Sequence, residues 1–421
     1  MSFLSPSSPL MAGFLAKPAM FFAALVALTP AVARPVCGDG WHAAWTSAQM
    51  VPKPEDTPPT AALADATLRQ TVTLSAGGPR QRLRFSNAFG TTPLRIDHVT
   101  LALAQGVGAA SLAGPALPVR FAGAAAVEIP AGVDYLSDPV ALPARRGTVL
   151  AVSLHLAAAP APVTGHPGAR TTSWLAPGAQ SAAAMLTGAR GLDHWYWLSG
   201  VESAGCGPVL VALGDSITDG HGAITNGDTR WTDYLARRLP PARGLANQGI
   251  GGNRVLDDGL GPSALARFDR DVLATTGADA VILLEGINDL GTFARTHVRD
   301  PAAHAALVAR LTAGYAQLVA RAHAKGLRLY GATIMPFTGS DYYAPTPQDE
   351  ADRVAVNQWL RAPGHTDGVI DFDRATRDPA HPERLLPGFD SGDHLHPSPA
   401  GYRAMAEAVP LALVAPEASP R

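Results

Sequence analysis

Val209-Leu210-Val211-Ala212-Leu213-Gly214-Asp215-Ser216-Ile217 is the stretch on which the reading of this chain turns. Five apolar residues in a row, without alternation, suit a strand covered on both faces. Gly214-Asp215 then ends the run, so a serine stands at the mouth of a buried strand. Downstream, further apolar runs at 280–284, 327–334 and 368–372 read as strands. Between them, segments 231–239, 264–273, 302–324, 350–361 and 400–409 carry helical periods. Strands alternating with helices predict a parallel sheet covered on both sides, a three-layer α/β/α domain over 207–415. In open sheets of this kind, sites form beyond the carboxyl ends of the strands.

Upstream the period changes to two. Segments 67–74, 82–85, 94–97, 99–103 and 149–156 have strand composition or alternate polar with apolar residues, and turns such as Gly77-Gly78-Pro79 separate them. Short strands between Gly/Pro turns predict a β-rich accessory domain over 38–205, a β-sandwich of jelly-roll-like form. Trp195-Tyr196-Trp197 lies near the junction of the two halves. The cluster reads either as interdomain core or as a face on which a sugar stacks, and the size of the rings favours core. Trp41 and Trp45 are expected to pack as well.

The chain has 421 residues, which favours two domains. Its net charge of −2 leaves no electrostatic footprint for nucleic acid. Lys17, the apolar run 19–28 and the small-x-small triplet Ala31-Val32-Ala33 read together as a signal peptide over 1–33. The apolar run is too short to span a bilayer in the mature chain. A secreted or periplasmic protein is expected. Cys37 and Cys206 are the only cysteines. Export makes a disulfide between them chemically feasible, closing nearly the whole β-rich half in one loop worth about 4–5 kcal/mol by chain entropy.

Four blocks follow in order through the second half: Gly214-Asp215-Ser216-Ile217, Asn247-x-Gly249-x-x-Gly252, Gly286-x-Asn288-Asp289 and Asp393-x-x-His396-Pro397. Each has a bland reading. Ser216 could cap a helix, Gly252 could sit in a plain glycine turn, Asn288 could make an Asx turn, and the last block could be a polar loop. Together they supply a nucleophile, backbone and side-chain oxyanion donors, and a base with its orienter. His394 forms His-x-His with His396, a pattern that can also ligate a metal beside Asp393. No further His/Asp/Glu set stands out, so no metal is expected. Asp215 is assigned to the turn. Asp219, Arg254 and Glu285 lie near the blocks, and loop 338–348 with Tyr342 and Tyr343 is either a wall of the site or a surface excursion.

From about residue 208 to the C-terminus, the four blocks resemble the SGNH (GDSL-type) hydrolase superfamily. The resemblance implies that Ser216 is the nucleophile, His396 the base and Asp393 its orienter. It implies oxyanion donors from the Ser216 N–H, the Gly252 N–H and the Asn288 side chain, and it implies no cofactor. A β-sandwich ahead of such a domain resembles some carbohydrate acetylesterases. The expectation is therefore an exported serine esterase acting on short O-acyl groups, such as acetyl on a polysaccharide or a small molecule. The alternatives are a broad-specificity lipase or arylesterase, and a non-catalytic carbohydrate-binding protein with a vestigial site.

Overall fold

The structure, a computed structural model, describes residues 40–158 and 161–414. The signal peptide expected at 1–33 and Cys37 lie outside the described residues. Five parallel strands form the sheet of the second half, in the order Gly244–Gly249, Val209–Gly214, Ala278–Leu284, Arg328–Ala332, Val369–Ile370. Chain order thus reads 2-1-3-4-5, with the direction of winding reversing between the first and third strands. Ser216 follows the first of these and Asn288 the third, which places them at the crevice where ligands collect in such sheets. Register sharpens the point, because Gly214 pairs with both Gly249 and Leu284. Three of the four blocks therefore leave the sheet at one level.

The helices begin where the sequence offers caps. Asp300 accepts from Ala302 N ahead of Pro301–His323, and Ser398 accepts from Gly401 N ahead of Pro399–Ala408, each with proline in the first turn. Of the elements that escape the sequence pattern, two bear on the site. Gly244–Gly249 (GLANQG) is poor in strand formers, yet it is a full strand. Its outer side is held by the β-rich half, through Thr46 Oγ1 to Asn247 O at 3.0 Å and Ser75 Oγ to Leu245 O at 2.8 Å. Tertiary context supplies what propensity lacks, and the sheet edge is covered. Ile287–Ala294 is the other, a helix without a side-chain cap that starts from Gly286 at φ +112°. A side chain at Gly286 would be strained at that φ and would strike the Tyr315 hydroxyl.

The β-rich half contains a four-stranded and a six-stranded antiparallel sheet. Leu83, Phe85 and Val201 of the smaller sheet share one core with Leu68, Val72, Leu150 and Val152 of the larger. Trp195, Tyr196 and Trp197 are buried in that core, so the aromatic cluster packs and presents no open sugar platform. Trp45 is buried as well, edge-on to Trp195 with ring centroids 4.8 Å apart. The described residues of both halves belong to one compact unit. Ala43, from the strand Trp41–Thr46, packs in the core of the α/β half and donates its N–H to Thr276 O at 2.9 Å. Arg146 reaches across to the carbonyls of Leu239, Pro240 and Arg243. Among the described residues no helix is long and apolar enough to cross a membrane.

Candidate active site

Asp215 ends the first strand and caps the four-residue helix Ser216–Asp219, its Oδ1 accepting from Ile217 N at 2.9 Å. This structural role is the one read from the sequence, and it leaves the Ser216 hydroxyl free to turn to the rim. That hydroxyl lies 2.8 Å from His396 Nε2. His396 Nδ1 lies 2.6 Å from Asp393 Oδ2. The spacing of three works because the chain folds back on itself there: Ser391 N donates to His396 O and Ser398 N to Phe389 O. Inside that loop, Asp393 Oδ1 accepts from the backbone N–H groups of Leu395 and His396. Burial works against the Asp393 carboxylate, but these hydrogen bonds and the His396 ring hold it well below the usual carboxylate range. An ionised Asp393 accepts from His396 Nδ1–H, which leaves the Nε2 lone pair toward Ser216.

The second and third blocks meet through their side chains. Asn288 Nδ2 donates to Asn253 O at 2.7 Å, and the Tyr343 hydroxyl donates to Asn288 Oδ1 at 2.5 Å. The Asn253 carbonyl, which can only accept, thereby fixes which end of the amide is which, and the Tyr343 hydroxyl adapts to it. Asn253 takes one of its two amide hydrogens, and the other remains for a ligand. Asp289 accepts from Val255 N and Leu256 N and ties the same loop down. Gly252 stands in that loop at φ +73°, where a side chain would also meet Leu260.

Ser216, Gly252, Asn288, Asp393 and His396 all line one cavity of about 800 Å³. The structure thus brings every site residue expected from the α/β half to one place. The loop containing Tyr342 and Tyr343 is a wall of this cavity: Tyr343 is buried under Asn288 and Tyr342 stands exposed on the rim. His394 also borders the cavity, but it turns away from the His-x-His arrangement. Its backbone is left-handed at φ +56°, and its Nδ1 meets Asp390 Oδ2. Of the nearby charges, Asp219 lines the cavity, whereas Glu285 is buried beneath it. Arg254 bonds the Asp258 carbonyl at the surface.

Three participants were not legible in the sequence. Arg267, fully buried, donates to Gly214 O, Gln248 O, the Asn253 side chain, Asp271 and Glu285. It therefore fastens the ends of three sheet strands from below. Burial raises the Glu285 carboxyl well above its usual range, and the nearby Asp215 carboxylate pushes the same way against the Arg267 cation. His221 lies over the His396 imidazole, with ring centroids 4.0 Å apart. The β-rich half is the third. It contributes Met50, Lys53, His166, Arg170 and His194 to the cavity wall. His166 Nε2 lies 2.8 Å from Asp219 Oδ1, a buried link to the helix that starts with Ser216. A lone histidine in a strand-rich segment carries no signal of such a partner, because the contact spans 53 residues of sequence.

Residues 212–404 match the GDSL-like lipase/acylhydrolase family. No curated protein matches the chain. Solved structures similar to part of it include a GDSL-like lipase from Bacteroides thetaiotaomicron, at 15% identity and TM-score 0.37, covering 49% of this chain and 87% of that one. An aryl esterase from M. smegmatis is similar at 15% identity and TM-score 0.37, covering 48% of this chain and 96% of that one. A carbohydrate acetylesterase from Sinorhizobium meliloti gives the same identity, TM-score and coverages. Likenesses of this depth say nothing about substrate.

Proposed function

The chain belongs, through residues 212–404, to the GDSL-like lipase/acylhydrolase family of ester hydrolases, and from that premise we propose that it cleaves short O-acyl esters, acetyl groups on carbohydrate above all, through an acyl-enzyme on Ser216. Ser216 Oγ attacks the ester carbonyl while His396 Nε2 takes its proton. The C–O bond to the alcohol breaks, and His396 returns the proton to the departing oxygen. Water then enters and attacks the acyl carbon while losing a proton to the same nitrogen; the bond to Ser216 Oγ breaks, His396 returns the proton to that oxygen, and the acid is released. The Ser216 and Gly252 N–H groups and the Asn288 amide receive the carbonyl oxygen as it becomes charged.

The observation that carries this reading is the unbroken chain from Ser216 Oγ through His396 to Asp393 on the wall of an open cavity. Beside Gly252, Met50, Ile250 and Leu260 pack together on the cavity wall, while charged, polar and aromatic side chains are numerous among the remaining lining residues. That mixture supports an alcohol part that carries hydroxyls, such as a sugar. Export, through the leader read at 1–33, and a Cys37–Cys206 bridge are part of the proposal. N-terminal sequencing and intact mass of the mature protein, before and after reduction, check both.

A series of p-nitrophenyl esters tests the acyl preference. Activity is expected to be greatest on acetate and to fall steeply beyond butyrate, with acetate released from acetylated polysaccharides. Equal or better turnover of decanoate overturns the short-acyl reading in favour of a lipase. Asn288→Ala is expected to lower kcat by roughly a hundred- to a thousandfold with little change in KM, since the donor acts mainly on the charged intermediate. Steady-state kinetics on the acetate ester measure it.

A further inference from the structure

We propose that His221, held by Arg170 of the β-rich half, is a positioning residue for the Asp393–His396 pair, so that the β-rich half completes the catalytic apparatus. This rests on the reading of His396 as the base. Arg170 Nη2 lies 3.0 Å from His221 Nδ1. A guanidinium only donates, so Nδ1 must present its lone pair, and the neutral ring carries its proton on Nε2. That Nε2 lies 3.9 Å from Asp393 Oδ2, the oxygen that meets His396 Nδ1. The distance is too long for a hydrogen bond, but the N–H dipole points charge of the right sign at the carboxylate. The His221 ring meanwhile covers one side of His396 at 4.0 Å, with 40° between the planes.

The two halves are clasped where this happens. Asn226 N donates to Arg170 O, and the Asn226 side chain exchanges two hydrogen bonds with Thr172. Arg230 reaches back to Ala169 O. Arg170 itself sits at φ +50°, a backbone state unfavourable for a side chain this large, and the clasp maintains it. On the other side the buried Tyr402 hydroxyl donates to His221 O. His221 is therefore held at its backbone and at its ring.

Function requires the ring to be neutral. His396 becomes an imidazolium during attack, and a second imidazolium 4 Å away would oppose it. The groups that face His221 are His396, Arg170, Asp393 and Asp219. The side chain is 49% exposed; its covered part lowers the pKa most, the His396 and Arg170 cations lower it further, and Asp393 and Asp219 oppose, bringing it to about 4. Removing the Arg170 cation takes away one of the lowering causes, so the value moves up toward the ordinary 6.5.

The experiment compares wild type, Arg170→Met, His221→Phe and the double variant, by NMR titration of the histidine rings and by kcat against pH. In wild type, His221 is expected to be the Nε2–H tautomer and to stay neutral to near pH 4. In Arg170→Met it should titrate at higher pH, and kcat at pH 5 should fall roughly tenfold relative to its own plateau. His221→Phe alone keeps a ring over His396 but loses the N–H toward Asp393, so its plateau kcat should fall several-fold with KM unchanged, and an unaltered plateau overturns the positioning role. In the Arg170→Met background the same change removes the titrating group and should abolish the added loss at pH 5. An unchanged His221 titration in Arg170→Met overturns the proposal, and so does an altered titration with an unaltered kcat profile. Failure of Ser216 to label with a fluorophosphonate would instead overturn the esterase reading, and the NMR result stands independently of it.

Discussion

Ser216→Ala is expected to lower kcat on p-nitrophenyl acetate by on the order of a hundred thousand- to a millionfold. The reason lies in the connectivity of the site. Ser216 Oγ is the atom bonded to His396 Nε2, and Asp393 acts only through that ring. With the hydroxyl gone, the proposed base and its orienter have nothing to act on. Adding His396→Ala to Ser216→Ala should therefore cost almost nothing more, because residues that act as a unit do not sum. Fold stability should change by less than about 1 kcal/mol, since the methyl group fits and the freed imidazole nitrogen faces a cavity that water can enter. Covalent labelling by a fluorophosphonate, read by intact mass, should vanish in the variant. Retained labelling would place the nucleophile elsewhere and remove the basis of the proposed mechanism.

Arg267→Met is expected to produce the largest loss of stability of any single change near the site, about 3–5 kcal/mol. The side chain is fully buried and its donors are spread over Gly214, Gln248, Asn253, Asp271 and Glu285. Methionine matches its length but offers no donor. Carbonyls at the ends of two adjacent strands would each lose a donor, although Gly214 O keeps Ile250 N, and Asp271 would keep only the less buried Arg270. Glu285 accommodates part of the change, because burial and Asp215 already favour its protonated form. A urea midpoint lowered at constant slope would measure the loss. A variant as stable as wild type would show that the strand ends need no such fastening. Activity should fall in parallel at temperatures where the fold holds, because the Ser216, Gly252 and Asn288 blocks all leave the sheet at the level Arg267 braces.

The four blocks were readable as a set and not one by one. A cap, a glycine turn, an Asx turn or a polar loop would each account for one of them, but the four in that order point to a shared task. The strands 209–214 and 278–284 were readable because unbroken apolar runs have few other uses. Gly244–Gly249 was not, since its stability comes from Thr46 and Ser75, some 200 and 170 positions away in sequence. Tyr343 stood open between wall and surface, and only its bond to Asn288 decided it.

Local residue pattern alone was enough for the class of fold in each half and for the order of the blocks, because strand and helix periods and motif spacing are properties of neighbours along the chain, while the roles in the proposed catalytic chain came from the resemblance that those blocks carry. The register that levels Gly214 with Gly249 and Leu284, the buried hub at Arg267, the His166–Asp219 link and the placement of Arg170 against His221 were decided by tertiary structure. Each depends on groups far apart in sequence meeting at hydrogen-bond distance, and no periodicity encodes such a meeting. A strand-rich half that looked like an accessory in sequence therefore supplies one wall of the cavity.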